Sequence, residues 1–175
     1  GRVRRFTYAQ LLEESGRGAA MLKRLGVGKG DRVVIYMPMI PETVFAMLAC
    51  ARIGAIHSVV FGGFAALELA KRIDDAAPRL ILTASCGIEG GRLIAYKPMV
   101  DEALALASHP VEHVVLVQRD ALAADLRPPR DIDWMTLRSE CAGDPIPEPE
   151  VMAANDPLYI LYTSGTTGTP KGVVR

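Results

Sequence analysis

Short apolar runs alternate with stretches of helical period along this chain, and that alternation constrains its fold more than any other feature. Residues 31–37 hold Val33, Val34, Ile35 and Tyr36 in unbroken succession. Neighbouring side chains of a strand point to opposite faces, so such a run needs apolar cover on both sides. Further runs lie at 56–61, 80–82, 114–117 and 158–162. Thr7 and Gln10 have capping-box spacing, and Tyr8, Leu11, Leu12, Ser15, Ala19 and Leu22 then recur at helical intervals until Gly26. Pro41 suits the first turn of a second helix, whose apolar face is expected to be Val44, Phe45, Leu48 and Ala51, up to Gly54. A third helix is expected over 65–77, with Ala66, Leu69, Ala70, Ile73 and Ala77 on one side and Pro78 beyond it. A fourth is expected over 97–108. Strands and helices in this order imply the α/β class, a mostly parallel sheet with helices on its faces.

Residues 122–150 break the pattern. Pro128, Pro129, Pro145, Pro147 and Pro149 crowd the stretch, and only 134–141 has a helical look. It is expected to be a surface excursion from one domain rather than a second core. A chain of 175 residues can bury a core without disulfides or a metal. Its 20 basic and 20 acidic residues cancel, which argues against a basic nucleic-acid footprint. No apolar run reaches the roughly 18 residues of a membrane helix. Cys50, Cys86 and Cys141 form no Cys-x-x-Cys pair and have no histidine at zinc-site spacing. They are expected to be thiols in a reducing cytosol, two of them buried, with Cys86 a small packed residue rather than a nucleophile. His57, His109 and His113 lack an acid or metal partner at useful spacing and are expected at the surface or in caps. Gly26, Gly28 and Gly30 precede a strand instead of following one, so they suit a helix-ending turn and not a dinucleotide fingerprint. The start, Gly-Arg-Val-Arg-Arg, has neither methionine nor a signal pattern and is expected to lie inside a longer gene product.

The chemistry gathers near the end. The string Tyr162-Thr163-Ser164-Gly165-Thr166-Thr167-Gly168-Thr169-Pro170-Lys171-Gly172 directly follows an apolar run. Glycines let a backbone approach a ligand closely, and successive N–H groups in such a turn make a concave anion site. Hydroxyls donate to phosphate oxygens, and a lysine adds charge without a fixed plane. A polyphosphate fits these parts best. The spacing is not that of a Walker A loop, because Gly165 and Gly168 are too close and Gly172 follows Lys171. A P-loop phosphotransferase is disfavoured on that ground. Composition alone leaves open a flexible Thr/Ser/Gly turn with a solvated lysine.

The order of those residues resembles the AMP-binding signature of the adenylate-forming superfamily, which includes acyl-CoA synthetases, luciferases and peptide-synthetase adenylation domains. The resemblance implies that Thr163, Ser164, Gly165, Thr166, Thr167, Gly168 and Lys171 hold the β- and γ-phosphates of ATP while a carboxylate attacks the α-phosphorus. It makes Lys171 the expected catalytic residue of this stretch. It also implies that residues 1–175 are part of the large N-terminal AMP-binding domain, without the C-terminal domain. The adenine pocket, acyl pocket, magnesium-ligating acid and C-terminal lysine of such enzymes would lie downstream of Arg175. The chain alone is therefore expected to be inactive.

Two more stretches narrow the resemblance. Tyr36-Met37-Pro38-Met39-Ile40-Pro41-Glu42 and the wording from Ala49 to Phe64 are similar to the short-chain branch of acetyl- and propionyl-CoA synthetases. After the third apolar run comes Ala84-Ser85-Cys86-Gly87-Ile88-Glu89-Gly90-Gly91-Arg92. Acetyl-CoA synthetases have two arginines here that bind the CoA nucleotide. This chain keeps the second as Arg92 and has Glu89 in place of the first. The Ser-Cys-Gly-Ile-Glu wording, with Tyr96-Lys97-Pro98 beyond it, resembles propionyl-CoA synthetases, although these usually have proline at position 90. Glu89, Gly90, Gly91 and Arg92 are thus expected to contact CoA, the alternative being a plain glycine turn with a solvated Arg92. The resemblance implies a propionate–CoA ligase using ATP, Mg²⁺ and coenzyme A, with small-molecule substrates and no nucleic-acid or membrane partner. It implies a cytoplasmic setting, or a mitochondrial matrix one in a eukaryote. Acetyl-CoA synthetase and a noncatalytic nucleotide-binding piece remain the alternatives.

Overall fold

The computed structural model describes residues 3–163 and 171–175. Helix α1 (Tyr8–Arg24) opens on the expected capping box: the Thr7 hydroxyl accepts from the Gln10 N–H, and the Gln10 side chain accepts from the Thr7 N–H. It ends before Gly26, whose φ of +79° only glycine adopts cheaply. Next come β1 (Arg32–Tyr36), α2 (Pro41–Arg52), β2 (Ile56–Val59), α3 (Ala66–Ala76) and β3 (Leu80–Ala84). Then follow a hairpin of β4 (Cys86–Glu89) and β5 (Arg92–Ala95), α4 (Tyr96–Leu106), β6 (His113–Val117), β7 (Asp131–Asp133) and α5 (Trp134–Glu140). The last elements are β8 (Ile160–Thr163) and β9 (Lys171–Val174).

Five strands form a parallel sheet in the order β2-β1-β3-β6-β7. Along β1, Val33 and Ile35 pack into a core with α1, α2 and α5, while Val34 and Tyr36 pack into another with α3 and α4. Strands β3 and β6 divide their side chains in the same way. The fold is α/β as expected, with helices covering both faces.

The face of α3 is the expected one, with Ala66, Leu69, Ala70 and Ile73 buried, but those of α1 and α2 are only partly as expected. In α1, Tyr8 and Leu12 are exposed, and the buried row is Ser15, Gly16, Gly18, Ala19, Ala20, Met21 and Leu22. In α2, Val44 and Leu48 are exposed, whereas Thr43, Phe45, Ala46, Ala49 and Cys50 are buried. The two helices approach closely: a Cβ on Gly18 would lie 3.1 Å from that of Ala49. Small residues let the two helices approach at Gly18 and Ala49, while Met21, Leu22 and Phe45 are buried beside them. All three cysteines are buried, not two.

Residues 122–150 are only in part a surface excursion. Strand β7 extends the sheet beside β6, and Trp134, Leu137 and Cys141 enter the core under α1. An ionic cluster pins this return. The Lys97 ammonium, 3% exposed, lies 2.7 Å from both Asp101 and Asp131. Arg130 donates to Asp131 at 2.6 Å and to Asp101 at 2.7 Å, and the Arg127 N–H donates to Asp131. Burial pushes the Asp131 carboxyl up, but these donors outweigh it and hold the group below its ordinary value. A depressed carboxylate stabilises the fold above its unfolded pKa of about 4, and that stability is lost as pH falls through the lower folded value. Asp131→Asn, which leaves Lys97 short of a counter-charge, is expected to cost about 3–5 kcal/mol near neutrality. Urea unfolding should show the gap from the parent protein shrinking as pH drops below about 4.

Candidate functional site

The sheet order places β1 and β3 side by side while their connections depart to opposite faces. The crevice at the carboxyl ends of such a pair is where open parallel sheets receive ligands. Ser85 immediately follows β3, and the β4–β5 hairpin rises directly from that end. Glu89 pairs with Arg92 in the antiparallel register, so Gly90 and Gly91 alone make the turn. Their φ values are +54° and +79°, the two-residue hairpin geometry that glycine favours at both positions. Proline, fixed near −65°, could not adopt the backbone of position 90. The four expected CoA residues therefore come together at one hairpin tip, with Gly90, Gly91 and Arg92 exposed and Glu89 partly buried.

Glu89 is committed inward. Its Oε1 accepts from the Tyr96 hydroxyl at 2.9 Å. The Tyr96 ring lies 5.1 Å from that of Tyr36, whose hydroxyl is 3.0 Å from the carbonyl of Gly62 and 2.8 Å from that of Phe64. A Cβ on Gly62 would stand 2.1 Å from the Tyr96 oxygen, and one on Gly87 would stand 2.6 Å from it. Burial, helped by nearby Glu89, raises the Tyr36 phenol to about 12, and burial with the Glu89 hydrogen bond raises that of Tyr96. Both therefore stay protonated donors near neutrality. These two tyrosines join the 60–65 loop, the hairpin and the start of α4. Sequence reasoning missed them as site residues, since Tyr36 read as one apolar position of a strand. The glycines at 62 and 87 were the available signal that a large ring had to pass.

The second group lies on the β8–β9 hairpin. Thr163 and Lys171 face each other in its last register pair, so the two ends of the expected phosphate loop are brought together. Both are exposed. Ser164, Gly165, Thr166, Thr167 and Gly168 lie outside the described residues. The run 158–162, expected as a strand entering the loop, becomes half of an antiparallel pair. It touches the main sheet through the His57 N–H, which donates to the carbonyl of Leu158 at 3.3 Å. His57 is buried against Tyr159 rather than at the surface, and burial lowers its pKa. Among the described residues no group of three or more acidic, histidine or cysteine side chains could hold a metal, and no helix is long and apolar enough to cross a membrane.

A family model described as AMP-binding enzyme matches residues 1–175. The chain belongs to that family. An uncharacterised protein of Pseudomonas aeruginosa is 59% identical over 172 residues, 98% of this chain and 27% of the relative. A propionate–CoA ligase of Salmonella typhimurium is 52% identical over 172 residues, with 98% and 27% covered. An acetyl-coenzyme A synthetase of Laribacter hongkongensis is 53% identical over 175 residues, with 99% and 26% covered. Among solved structures, acetoacetyl-CoA synthetase from Streptomyces lividans superposes with a TM-score of 0.83 at 33% identity, over 96% of this chain and 25% of that one. The chain spans about a quarter of the length of these relatives.

The packing around Tyr96 can be tested directly. Gly62→Ala drives a methyl into the Tyr96 ring and is expected to cost about 1–3 kcal/mol in urea unfolding, the usual penalty of overpacking. In a Tyr96→Leu background the same change should cost clearly less, because the two sites share one space.

Proposed function

We propose that this chain supplies the phosphate-binding and CoA-facing parts of an enzyme that activates a short carboxylate, propionate first, with ATP and coenzyme A. The observation that carries the reading is the hairpin neck at which Thr163 and Lys171 stand opposite each other, closing the hydroxyl- and glycine-rich string between them. A hydroxyl and an ammonium held at one neck suit the oxygens of a polyphosphate. In the first half-reaction a carboxylate oxygen bonds to the α-phosphorus and pyrophosphate departs. In the second the CoA thiolate bonds to the acyl carbon and AMP departs. Charge gathers on the leaving pyrophosphate, so donors aimed at it in advance contribute most as the bond breaks. Lys171 is the residue assigned that task. The described residues offer no acidic cage for Mg²⁺. The ion is proposed only as the companion of ATP, and no step is routed through it.

Arg92 is proposed as the CoA contact, being the exposed cation at the tip of a hairpin that stands at the carboxyl end of β3. Gly90 and Gly91 expose backbone beside it. Glu89 is proposed to border the same site while holding Tyr96. Propionate is favoured by the Ser-Cys-Gly-Ile-Glu wording and by Glu89. The acetyl-coenzyme A synthetase relative, at 53% identity against 52% for the propionate–CoA ligase, supports acetate as the second reading.

ATP–pyrophosphate exchange by the full-length gene product with acetate, propionate and butyrate tests the reading. The highest kcat/KM is expected with propionate, and no exchange with any of the three would refute it. Lys171→Ala should lower the exchange rate by about 10²-fold, the scale of losing one preorganised donor, while thioester formation from supplied acyl-adenylate changes far less. Arg92→Ala should raise the apparent KM for CoA and leave exchange intact. Equal damage to both assays would remove Arg92 from the CoA site.

A further inference from the structure

The hairpin that presents Thr163 and Lys171 is fastened to α3 by contacts that the reaction outlined above does not use. The Tyr162 hydroxyl, one residue before Thr163, donates to Asp75 Oδ2 at 2.6 Å. The Arg72 guanidinium, one helical turn earlier on α3 and only 5% exposed, lies 5.2 Å from the Tyr162 ring centroid. The same guanidinium lies 4.6 Å from the ring of Phe64. Its Nη1 donates to the Glu68 carbonyl at 2.6 Å and to the Glu68 carboxylate at 3.1 Å, which holds it within reach of both rings. On the other strand Gly172 is the register partner of Tyr162. A Cβ there would lie 3.0 Å from Asp75 Oδ2 and 3.2 Å from the Tyr162 ring, so the missing side chain leaves room for the Asp75–Tyr162 pair.

A buried arginine between aromatic rings is held by cation–π attraction that strengthens as water is excluded. The Tyr162 phenol is raised by burial and by its hydrogen bond to Asp75, so it remains a donor throughout the neutral range. Asp75 stands beside a loop read as an anion site, where a free carboxylate would repel phosphate. Accepting the hydrogen bond of the Tyr162 phenol gives that carboxylate a structural role as a tether. The arrangement restrains β8 and β9 together, because Asp75 fits against both Tyr162 and Gly172.

We propose that Asp75 and Arg72 are positioning residues for the phosphate-binding hairpin, setting through Tyr162 the placement of Thr163 and Lys171 against ATP. This rests on the reading of that hairpin as the ATP phosphate site. It adds that α3, which touches no substrate in that reading, sets the affinity of the site for the nucleotide. Through Phe64 the same arginine borders the loop whose carbonyls face Tyr36, so the hairpin is braced on the framework that carries Tyr96 and Glu89.

The test uses the full-length enzyme with Tyr162→Phe, Asp75→Asn, their double variant and Lys171→Ala. Tyr162→Phe keeps the ring over Arg72 and deletes only the hydroxyl, which guards against misfolding. In ATP–pyrophosphate exchange each single variant should raise the KM for ATP about tenfold, the scale of one hydrogen bond to a charged group. The double variant should be no worse than either single one, because both remove the same bond. The KM for CoA and the thioester step from supplied acyl-adenylate should not move, whereas general loosening of the fold would disturb them too. If Lys171→Ala is defective while Tyr162→Phe and Asp75→Asn match the parent in KM for ATP, the positioning role is overturned. Defects in the two variants that add fully in the double variant overturn it as well. If Lys171→Ala also leaves exchange unchanged, the phosphate-site reading falls and takes the positioning role with it.

Discussion

The parallel sheet is buried on both faces, and that requirement governs everything else in this chain. Past their first residues its middle strands are closed to water: Val33, Val34, Ile35 and Tyr36 of β1 are all fully buried, as are Leu80, Ile81 and Thr83 of β3. Polar chemistry is thereby driven to the strand ends, where backbone groups leave the ladder and loops begin. Several of the polar groups inside are satisfied within the fold, although the Ser58 hydroxyl and His57 Nδ1 on β2 are buried without a hydrogen-bond partner. Thr83 donates to the carbonyl of Tyr36 at 2.8 Å, and Lys97 is enclosed by Asp101 and Asp131. Such an enclosed set offsets the desolvation of its charges only while every member remains, so it fixes how β7 and α5 return to the sheet.

Tyr36 and Tyr96 convert that buried framework into a shaped edge. Tyr36 ends β1, and Tyr96 begins α4, on the face covered by α3 and α4. Each carries a ring that packs like core and a hydroxyl that reaches a loop. The price of this economy is space, since no side chain is tolerated at Gly62 or Gly87 without moving a ring. The loop between β2 and α3 is thus held by what lies beneath it, and its backbone carbonyls at 62 and 64 are committed to Tyr36.

How much of this could be read in the sequence follows from what each pattern encodes. Doubly buried strands announce themselves because every position must be apolar, and Thr7 with Gln10 marks a helix start through one local exchange of hydrogen bonds. Helix faces were less legible. In α1 and α2 hydrophobicity favoured Tyr8, Leu12, Val44 and Leu48, which are exposed, and passed over Gly18, Ala46 and Ala49, of which Gly18 and Ala49 serve close approach rather than apolar area. The β4–β5 hairpin is too short to alternate visibly, and only the Gly90–Gly91 pair hints at it. In the proline-rich stretch the burial of Trp134 and Leu137 depends on α1, far away in sequence. The residues proposed for the site could be named from two strings of the sequence, of which Glu89 to Arg92, Thr163 and Lys171 lie among the described residues. The site's supports could not be, because Tyr36, Arg72 and Tyr96 gain their roles from neighbours that only folding provides.

Glu89 shows what the geometry adds to a substitution seen in sequence. An acidic residue where a related pattern carries an arginine looks like the loss of a CoA contact. Here the carboxylate holds Tyr96. An arginine at position 89 could not accept from a phenol, since guanidinium has donors only. The two positions therefore depend on each other, and changing Glu89 alone would leave the Tyr96 hydroxyl without its acceptor among the described residues. The acidic residue is better understood as half of a structural pair than as a weakened ligand. That leaves Arg92, exposed at the base of the Gly90–Gly91 turn, as the residue of this hairpin on which the proposed CoA contact rests.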